Sequence, residues 1–172
     1  MAKEKICESA VILSSNSEIL FLNLQNMKIQ NQIILSIGTN QGDKLANIEQ
    51  AIHLIHSEIA TIVKVSKLYE SPSWGFESDA FYNCAVLVHS CKSSEEILEE
   101  ILQAEIKLGR IRKEAEGYQA RIIDIDIISF NEDVFETENL KVPHPQMQNR
   151  KFVLLPMNDL KTDFVHPILN KN

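Results

Sequence analysis

Residues 121–130, with the sequence RIIDIDIISF, constrain the fold more than any other part of this chain. Side chains alternate between the two faces of a β-strand, so Asp124 and Asp126 lie on one face. The isoleucines on either side of them face the opposite layer. The segment therefore predicts a strand that has one apolar face against a core and one face with two adjacent carboxylates.

Strand and helix patterns alternate along the rest of the chain. Further strands are expected over 33–37, from Val63 to Tyr69, and over 81–90, with an edge strand over 134–142. The helical spacing of Leu45, Ile48, Ile52 and Ile55 predicts a first helix. A second helix is expected over about 94–108, because Ser93 and Glu96 match a capping box and Gly109 supplies a stop.

These elements form two βα units interleaved with adjacent antiparallel strands. They predict an α+β, ferredoxin-like αβ sandwich, with a four-stranded, mostly antiparallel sheet and helices packed on one face. A doubly wound parallel sheet would need more crossover helices than the sequence offers. The three prolines Pro143, Pro145 and Pro156 are expected to break up the remainder.

A length of 172 residues suits a single domain of ordinary size. Residues 1–30 have weak periodicity and are interpreted as an N-terminal extension. Residues 31–172 are expected to form one domain.

Composition excludes several classes of protein. The formal net charge of −7 disfavours generic binding to nucleic acid. No apolar run approaches the ~18 residues needed to cross a bilayer, and acidic residues near the N-terminus spoil a signal pattern, so a cytoplasmic location is expected. Three cysteines without ligand spacing indicate neither a disulfide framework nor a zinc site.

The carboxylate pair, Asp124 and Asp126, is the first candidate site. Like charges this close repel unless protons or cations intervene, and Mg²⁺ ions that also hold phosphate oxygens would relieve the repulsion. The alternative is a solvated polar face on an amphipathic strand. Because Asp is a poor strand former, two of them between isoleucines favour metal and phosphate binding.

Four cations precede this pair within a short stretch of an otherwise acidic chain: Arg110, Arg112, Lys113 and Arg121. The planar fork of Arg binds phosphate oxygens bidentately, so the loop that carries these residues favours a polyphosphate ligand. Complementation of a helix dipole would explain Arg110 but not Arg121. A second basic set, His144 and Arg150, follows in a proline-rich turn.

Aromatic and amide side chains on loops and strands could sandwich a flat heterocycle and bind its polar edge. They are Trp74, Phe76, Tyr82, Asn83, Tyr118 and Phe152. Phe81, Phe130 and Phe164 are assigned to packing.

With these residues in place, the chain resembles the 6-hydroxymethyl-7,8-dihydropterin pyrophosphokinase family of folate biosynthesis. The resemblance covers about residues 32–160. It rests on the segments LSIGTNQGD, YESPSWGF, FYNCAV, LGRIRK, RIIDIDIISF and VPHPQMQNRKFVLLP, in that order.

The resemblance implies a ferredoxin-like fold and transfer of diphosphate from ATP to the pterin hydroxymethyl group, with release of AMP. It implies that Asp124 and Asp126 hold two Mg²⁺ ions and that Arg110 and Arg121 close over ATP. Three residues, Arg112, His144 and Arg150, would contact the triphosphate or nucleotide, and Glu105 would lie near the nucleotide. The pterin site would contain Asn83 and Phe152, with Pro72, Trp74 and Tyr82 at its wall.

One departure from the family pattern concerns Tyr118, which stands near the loop tip where the family has Trp. A stacking role for Tyr118 on the pterin is therefore a hypothesis about this chain alone.

Two other functions remain open from the residues themselves. One is a non-catalytic, small-molecule-binding module of ferredoxin-like fold, because fold alone does not specify function. The other is a different Mg²⁺-dependent phosphotransferase. The acidic pair together with the arginines argues against the first, and the aromatic set with Asn83 argues against the second.

Overall fold

A computed structural model describes residues 30–73, 78–110, 120–160 and 163–171 of the chain. Five residues singled out above lie outside the described residues: Trp74, Phe76, Arg112, Lys113 and Tyr118. The predicted extension, residues 1–30, lies outside them except for residue 30.

The main sheet contains five strands: β1 (Asn31–Thr39), β2 (Thr61–Val65), β3 (Tyr69–Ser71), β4 (Phe81–Ser90) and β5 (Asp124–Phe130). Their order is β2-β4-β1-β5, with β3 also pairing with β4, and every pairing is antiparallel. The strand expected from Val63 to Tyr69 is therefore two short strands, which residues 66–68 separate.

Helices α1 (Lys44–Leu54) and α2 (Ser94–Lys107) cover one face of this sheet, and a π-helical turn at Ile55–Ile59 extends α1. The capping box predicted for α2 is present, with Ser93 Oγ accepting from the Glu96 amide. Gly109, just beyond α2, has φ +90°, a value that favours glycine. The core between sheet and helices is built from alternate strand residues and one stripe of each helix. Its members include Ile33, Leu35, Ile37, Val86, Ile125, Ile55, Ile97 and Ile101.

Helix α3 (Lys151–Leu160) covers part of the opposite face, so the expectation that helices pack on one face only is wrong. Its Val153, Met157 and Leu160 pack against strand residues such as Ile34 and Leu87. The sequence pattern missed this helix because Pro156 lies inside it, and proline is a poor residue for a helix interior. Burial of the apolar side of α3 offsets that cost.

Residues 134–142 do not add an edge strand to the main sheet, contrary to the prediction. Strands β6 (Phe135–Glu136) and β7 (Lys141–Val142) pair only with each other, in a short hairpin. Within this hairpin, Phe135 and Val142 still pack against the core between the sheet and helices α1 and α2. No helix among the described residues has both the length and the apolar character needed to span a membrane.

Candidate active site

A cavity of about 340 Å³ lies on the α3 side of the sheet, at the end that α3 leaves uncovered. Its floor comes from the central strands, where Gly38 pairs with Asn83 on one side and with Asp124 on the other. Gly38 keeps this floor open, since a Cβ at that position would meet Asn83 Oδ1 at 3.4 Å. Asp126, paired with Ser36, lies on the same face.

Asp124 is held between two arginines. Its Oδ1 accepts from Arg110 at 2.7 Å, and its Oδ2 lies 2.7 Å from an Arg121 guanidinium nitrogen. All three side chains are about four-fifths buried, and all line the cavity. Arg110 and Arg121, at the two ends of the 110–121 segment, therefore both contact the carboxylate of Asp124.

Glu105 stands behind this group and is almost completely buried, with 1% exposure. Its carboxylate accepts from the Ile125 amide at 2.8 Å and also binds the Arg110 guanidinium. The Arg110 amide donates to the Glu105 carbonyl at 2.9 Å. Glu105 therefore orients Arg110 and fixes the end of α2 to β5, and it does not line the 340 Å³ cavity.

Asp126 has an unusual protonation equilibrium. Burial, reinforced by the nearby charge of Asp124, raises its pKa to about 7, although Arg121 and Arg150 favour the ionised form. Because Asp126 ionises with difficulty, a cation bound beside it would stabilise its charged form. Oxygen donors are also the ligands that Mg²⁺ prefers, so the pair suits such an ion chemically.

The proline-rich turn places two further basic residues in the cavity wall, His144 and Arg150. The His144 amide donates to the Ile128 carbonyl at 2.9 Å, and its Nδ1 accepts from the Gln146 amide at 3.1 Å. Burial and the charge of Arg150 lower the pKa of His144. In the neutral form its proton is therefore on Nε2, which leaves that nitrogen as a donor.

The residues expected around a flat heterocycle divide between the two faces of the sheet. Pro72, Asn83 and Phe152 line the cavity. Tyr82 does not: it is one residue from Asn83 in β4, so it faces the α1 side, where Lys44 Nζ lies 4.4 Å from its ring centroid. Tyr82, which the resemblance implies at the wall of the pterin site, therefore lies outside this cavity.

Phe81 lines the cavity, whereas the sequence predicts that it is a packing residue. The signal was available, because Phe81 and Asn83 are two residues apart and must share a face of β4. The Asn83 amide nitrogen donates to Ser71 Oγ at 3.0 Å, which leaves its Oδ1 toward Gly38.

A second, more open groove of about 820 Å³ adjoins the first. It lies between α2 and the β6–β7 hairpin, with walls that include Leu98, Leu102, Asn139 and Lys141. Both hollows share four residues: Arg110, Asp124, Asp126 and His144. The charged cluster is thus the common boundary of two ligand-sized spaces.

Within the described ranges, no group of three or more His, Cys, Asp or Glu side chains is arranged to hold a metal ion. Asp124 and Asp126 are a pair, which matches the way Mg²⁺ is commonly bound, by one or two carboxylates with waters and substrate phosphates completing its shell.

Together, the fold and the site define a class of protein. It is an α+β domain that can hold two small molecules, one on each side of a cluster of arginines and carboxylates. Arginines and a paired carboxylate at such a boundary suit phosphate groups. Comparison with known proteins agrees with this class. A family model described as 7,8-dihydro-6-hydroxymethylpterin-pyrophosphokinase matches residues 34–162, and the chain belongs to this family.

Two bacterial relatives named 2-amino-4-hydroxy-6-hydroxymethyldihydropteridine pyrophosphokinase match most of the chain. The one from Aquifex aeolicus is 36% identical over 81% of this chain and 86% of its own length, and the one from Bacillus subtilis is 40% identical over 77% and 79%. The folic acid synthesis protein FOL1 of Dictyostelium discoideum is 39% identical over 86% of this chain, which spans 22% of that protein.

Solved structures confirm the fold. The crystal structure of wild-type Plasmodium falciparum HPPK-DHPS superposes with a TM-score of 0.66 at 18% identity, over 83% of this chain and 43% of that chain. The chain therefore spans less than half of this structure and about a fifth of the Dictyostelium protein. The predicted ferredoxin-like α+β class is confirmed.

Proposed function

We propose that the chain transfers the β,γ-diphosphate of ATP to the hydroxymethyl oxygen of 6-hydroxymethyl-7,8-dihydropterin. The products are AMP, the pterin diphosphate and one proton. The observation that carries this proposal is the pair of adjoining hollows with the arginine and carboxylate cluster at their boundary. Family membership supplies the identities of the two substrates.

The cavity of about 340 Å³ suits the pterin. Phe81, Phe152 and Pro72 provide flat or apolar surfaces, and Asn83 provides an amide that can bind the polar edge of the ring. The guanidinium of Arg150 lies 5.7 Å from the centroid of the Phe152 ring, so positive charge lies beside the proposed stacking surface. The hydroxymethyl group would then face the charged boundary.

The groove between α2 and the β6–β7 hairpin suits the nucleotide, whose triphosphate would run across the boundary cluster. Arg110, Arg121 and Arg150 would neutralise its negative charge, and His144 Nε2 would donate to a phosphate oxygen. Glu105 would act through Arg110, whose position it fixes. Arg112, expected at the nucleotide, and Trp74, expected at the pterin, remain predictions from the resemblance. Stacking of Tyr118 on the pterin remains a hypothesis about this chain alone.

Asp124 and Asp126 are the residues that would hold Mg²⁺. Each oxygen of Asp124 has acceptor capacity beyond its arginine contact, so both roles are compatible. Bound Mg²⁺ would neutralise phosphate oxygens and favour the ionised form of Asp126. The family resemblance implies two such ions.

The reaction itself needs positioning and charge stabilisation more than covalent participation by the protein. The hydroxymethyl oxygen of the pterin attacks the β-phosphorus of ATP. At the same time, the bond breaks between the β-phosphorus and the oxygen that bridges it to the α-phosphorus. The chain holds the two reactants in line from its two hollows, and its arginines stabilise charge that develops at the phosphoryl oxygens. Exclusion of water by the filled cavities would suppress hydrolysis.

Measurement of AMP release tests the proposal directly. Purified protein with ATP and Mg²⁺ is expected to release AMP only when 6-hydroxymethyl-7,8-dihydropterin is added, with one pterin diphosphate formed per AMP. A non-catalytic binding module would bind the pterin and form no AMP. A different phosphotransferase would use another acceptor or release ADP, and either result would contradict the proposal.

A further inference from the structure

A contact between β3 and α3 lies outside the site described above. Asp159, in the last turn of α3, accepts at Oδ2 from the Tyr69 hydroxyl at 2.8 Å and from the Lys67 amide at 3.1 Å. The Asp159 side chain is 19% exposed, and its bond with the Tyr69 hydroxyl is partly buried, whereas its bond with the Lys67 amide is exposed. Lys67 Nζ lies 4.0 Å from Oδ1 and is largely exposed, and such an ion pair adds little.

The two elements that Asp159 joins carry opposite walls of the proposed pterin cavity. Strand β3 ends at Ser71, and Ser71 and Pro72 line one wall. The first turn of α3 carries Phe152 and Val153, which line the other. Because Phe152 and Asp159 are seven residues apart, they lie two turns apart on the same side of one helix. A shift at Asp159 is therefore transmitted to Phe152.

Strand β3 has limited support of its own. It contains three residues and, among the described strands, pairs only with β4. Asn83 adds one hydrogen bond of 3.0 Å to Ser71 Oγ, within the cavity itself. The contact with Asp159 is thus a second attachment, and it fixes β3 to the helix rather than to the sheet.

We propose that Asp159 is a positioning residue for the acceptor substrate, which sets the separation between the Pro72 wall and the Phe152 wall. This inference rests on the proposed function, since it assigns the flat acceptor to that cavity. The nucleotide groove is built from α2 and the β6–β7 hairpin, which the Tyr69 and Lys67 contacts of Asp159 do not involve. Loss of the contact should weaken binding of the acceptor and leave that of ATP unchanged.

Steady-state kinetics with both substrates varied, together with equilibrium binding of the pterin, separates these effects. Asp159→Ala is expected to raise KM and Kd for the pterin about tenfold, the effect of losing hydrogen bonds to a charged group. The kcat and the KM for ATP should remain within about twofold of wild type. Tyr69→Phe keeps the ring and removes one bond, so about a threefold increase is expected.

Two further variants serve as a rescue and as a control away from the cavity. Asp159→Asn retains an oxygen that can accept both bonds and should restore the pterin Kd to within about twofold of wild type. Glu100→Gln removes a charge of α2 that pairs with Lys92 and lies away from the cavity, and it should change neither KM. An unchanged pterin KM and Kd in Asp159→Ala and Tyr69→Phe would overturn the inference, as would an equal rise in the KM for ATP.

The outcome also distinguishes this inference from the proposed function. A wild-type protein that binds the pterin without releasing AMP would contradict the function, and the pterin Kd values would still decide the role of Asp159. A wild-type protein that binds no pterin would contradict both.

Discussion

The two faces of the main sheet come from the same five strands and serve opposite purposes. On the α1 and α2 side, Ile33, Leu35 and Ile37 of β1 are fully buried and belong to one continuous core. On the α3 side, the same strand contributes buried Ile34 and, further along, Ser36 and Gly38 in the floor of the cavity. The change occurs within one face, where α3 stops covering the strands.

This difference shows how a small domain can accommodate a charged site without losing its core. Alternation in β5 separates Ile125 and Ile127 from Asp124 and Asp126, so the carboxylates cost little packing on the apolar side. Repulsion between the carboxylates is confined to the open end of the other face. We therefore expect substitutions on the two faces to separate activity from stability.

The largest expected effect is on activity, from a change on the open face. Asp126→Asn removes a charge from the boundary of the two hollows and is expected to lower AMP release by about 10³-fold, with retention of the fold. Circular dichroism and a kinetic assay would measure both properties. Asp133→Asn changes an exposed carboxylate in the turn after β5 and should behave like wild type. Near-normal turnover by Asp126→Asn would show that Asp126 takes no part in the reaction.

A pair of adjacent residues in β1 compares the two faces directly. Leu35→Ala should lower the free energy of unfolding by about 3 kcal/mol, because it opens a cavity in the buried core. Ser36→Ala, one residue further and on the open face, should lower it by less than about 1 kcal/mol. Urea denaturation would measure both. Equal destabilisation would mean that the α3 side contributes to the core as much as the other side does.

Arg110 at the boundary and Arg121, which contacts Asp124 from the first cavity, test whether charge stabilisation or binding dominates there. Arg110→Ala and Arg121→Ala are each expected to slow the chemical step about 10²-fold, with a smaller loss of ATP affinity. Single-turnover rates and equilibrium nucleotide binding would separate the two. Lys107→Ala, an exposed cation at the end of α2, is the matched control. A large loss of affinity with an unchanged chemical rate would place these arginines in ground-state binding.

The sequence was most informative where one residue period applied without interruption. The strand at 81–90 and the helix beginning after Ser93 lie where the pattern predicted them, and Asp124 and Asp126 share a face as alternation requires. Each of these predictions depends on neighbours within a few residues. Local rules are sufficient in such cases.

The errors arose where contacts distant in sequence decide the outcome. Pro156 argued against a helix, and burial against Ile34 and Leu87 of the sheet overrides it. The resemblance implies Tyr82 at the wall of the pterin site, whereas its register in β4 places it with Lys44 on the face opposite the cavity. The contact between Tyr69 and Asp159 joins residues 90 positions apart, and no local pattern indicates it.

A last prediction concerns the folding stability that the open face loses when Asp126 ionises. In the folded protein the pKa of Asp126 is raised to about 7, whereas the ordinary value of 3.8 applies to the unfolded chain. Between these values the folded state binds more protons than the unfolded state, so this group lowers the stability as the pH rises. Asp126→Asn lacks this titration. Urea denaturation in chelator should therefore show the variant equal to wild type near pH 4 and more stable than wild type by several kcal/mol at pH 8. The Asp133→Asn control should show no such trend. If the two proteins differ by the same amount at both pH values, then Asp126 titrates normally, and the neighbouring arginines already compensate its charge.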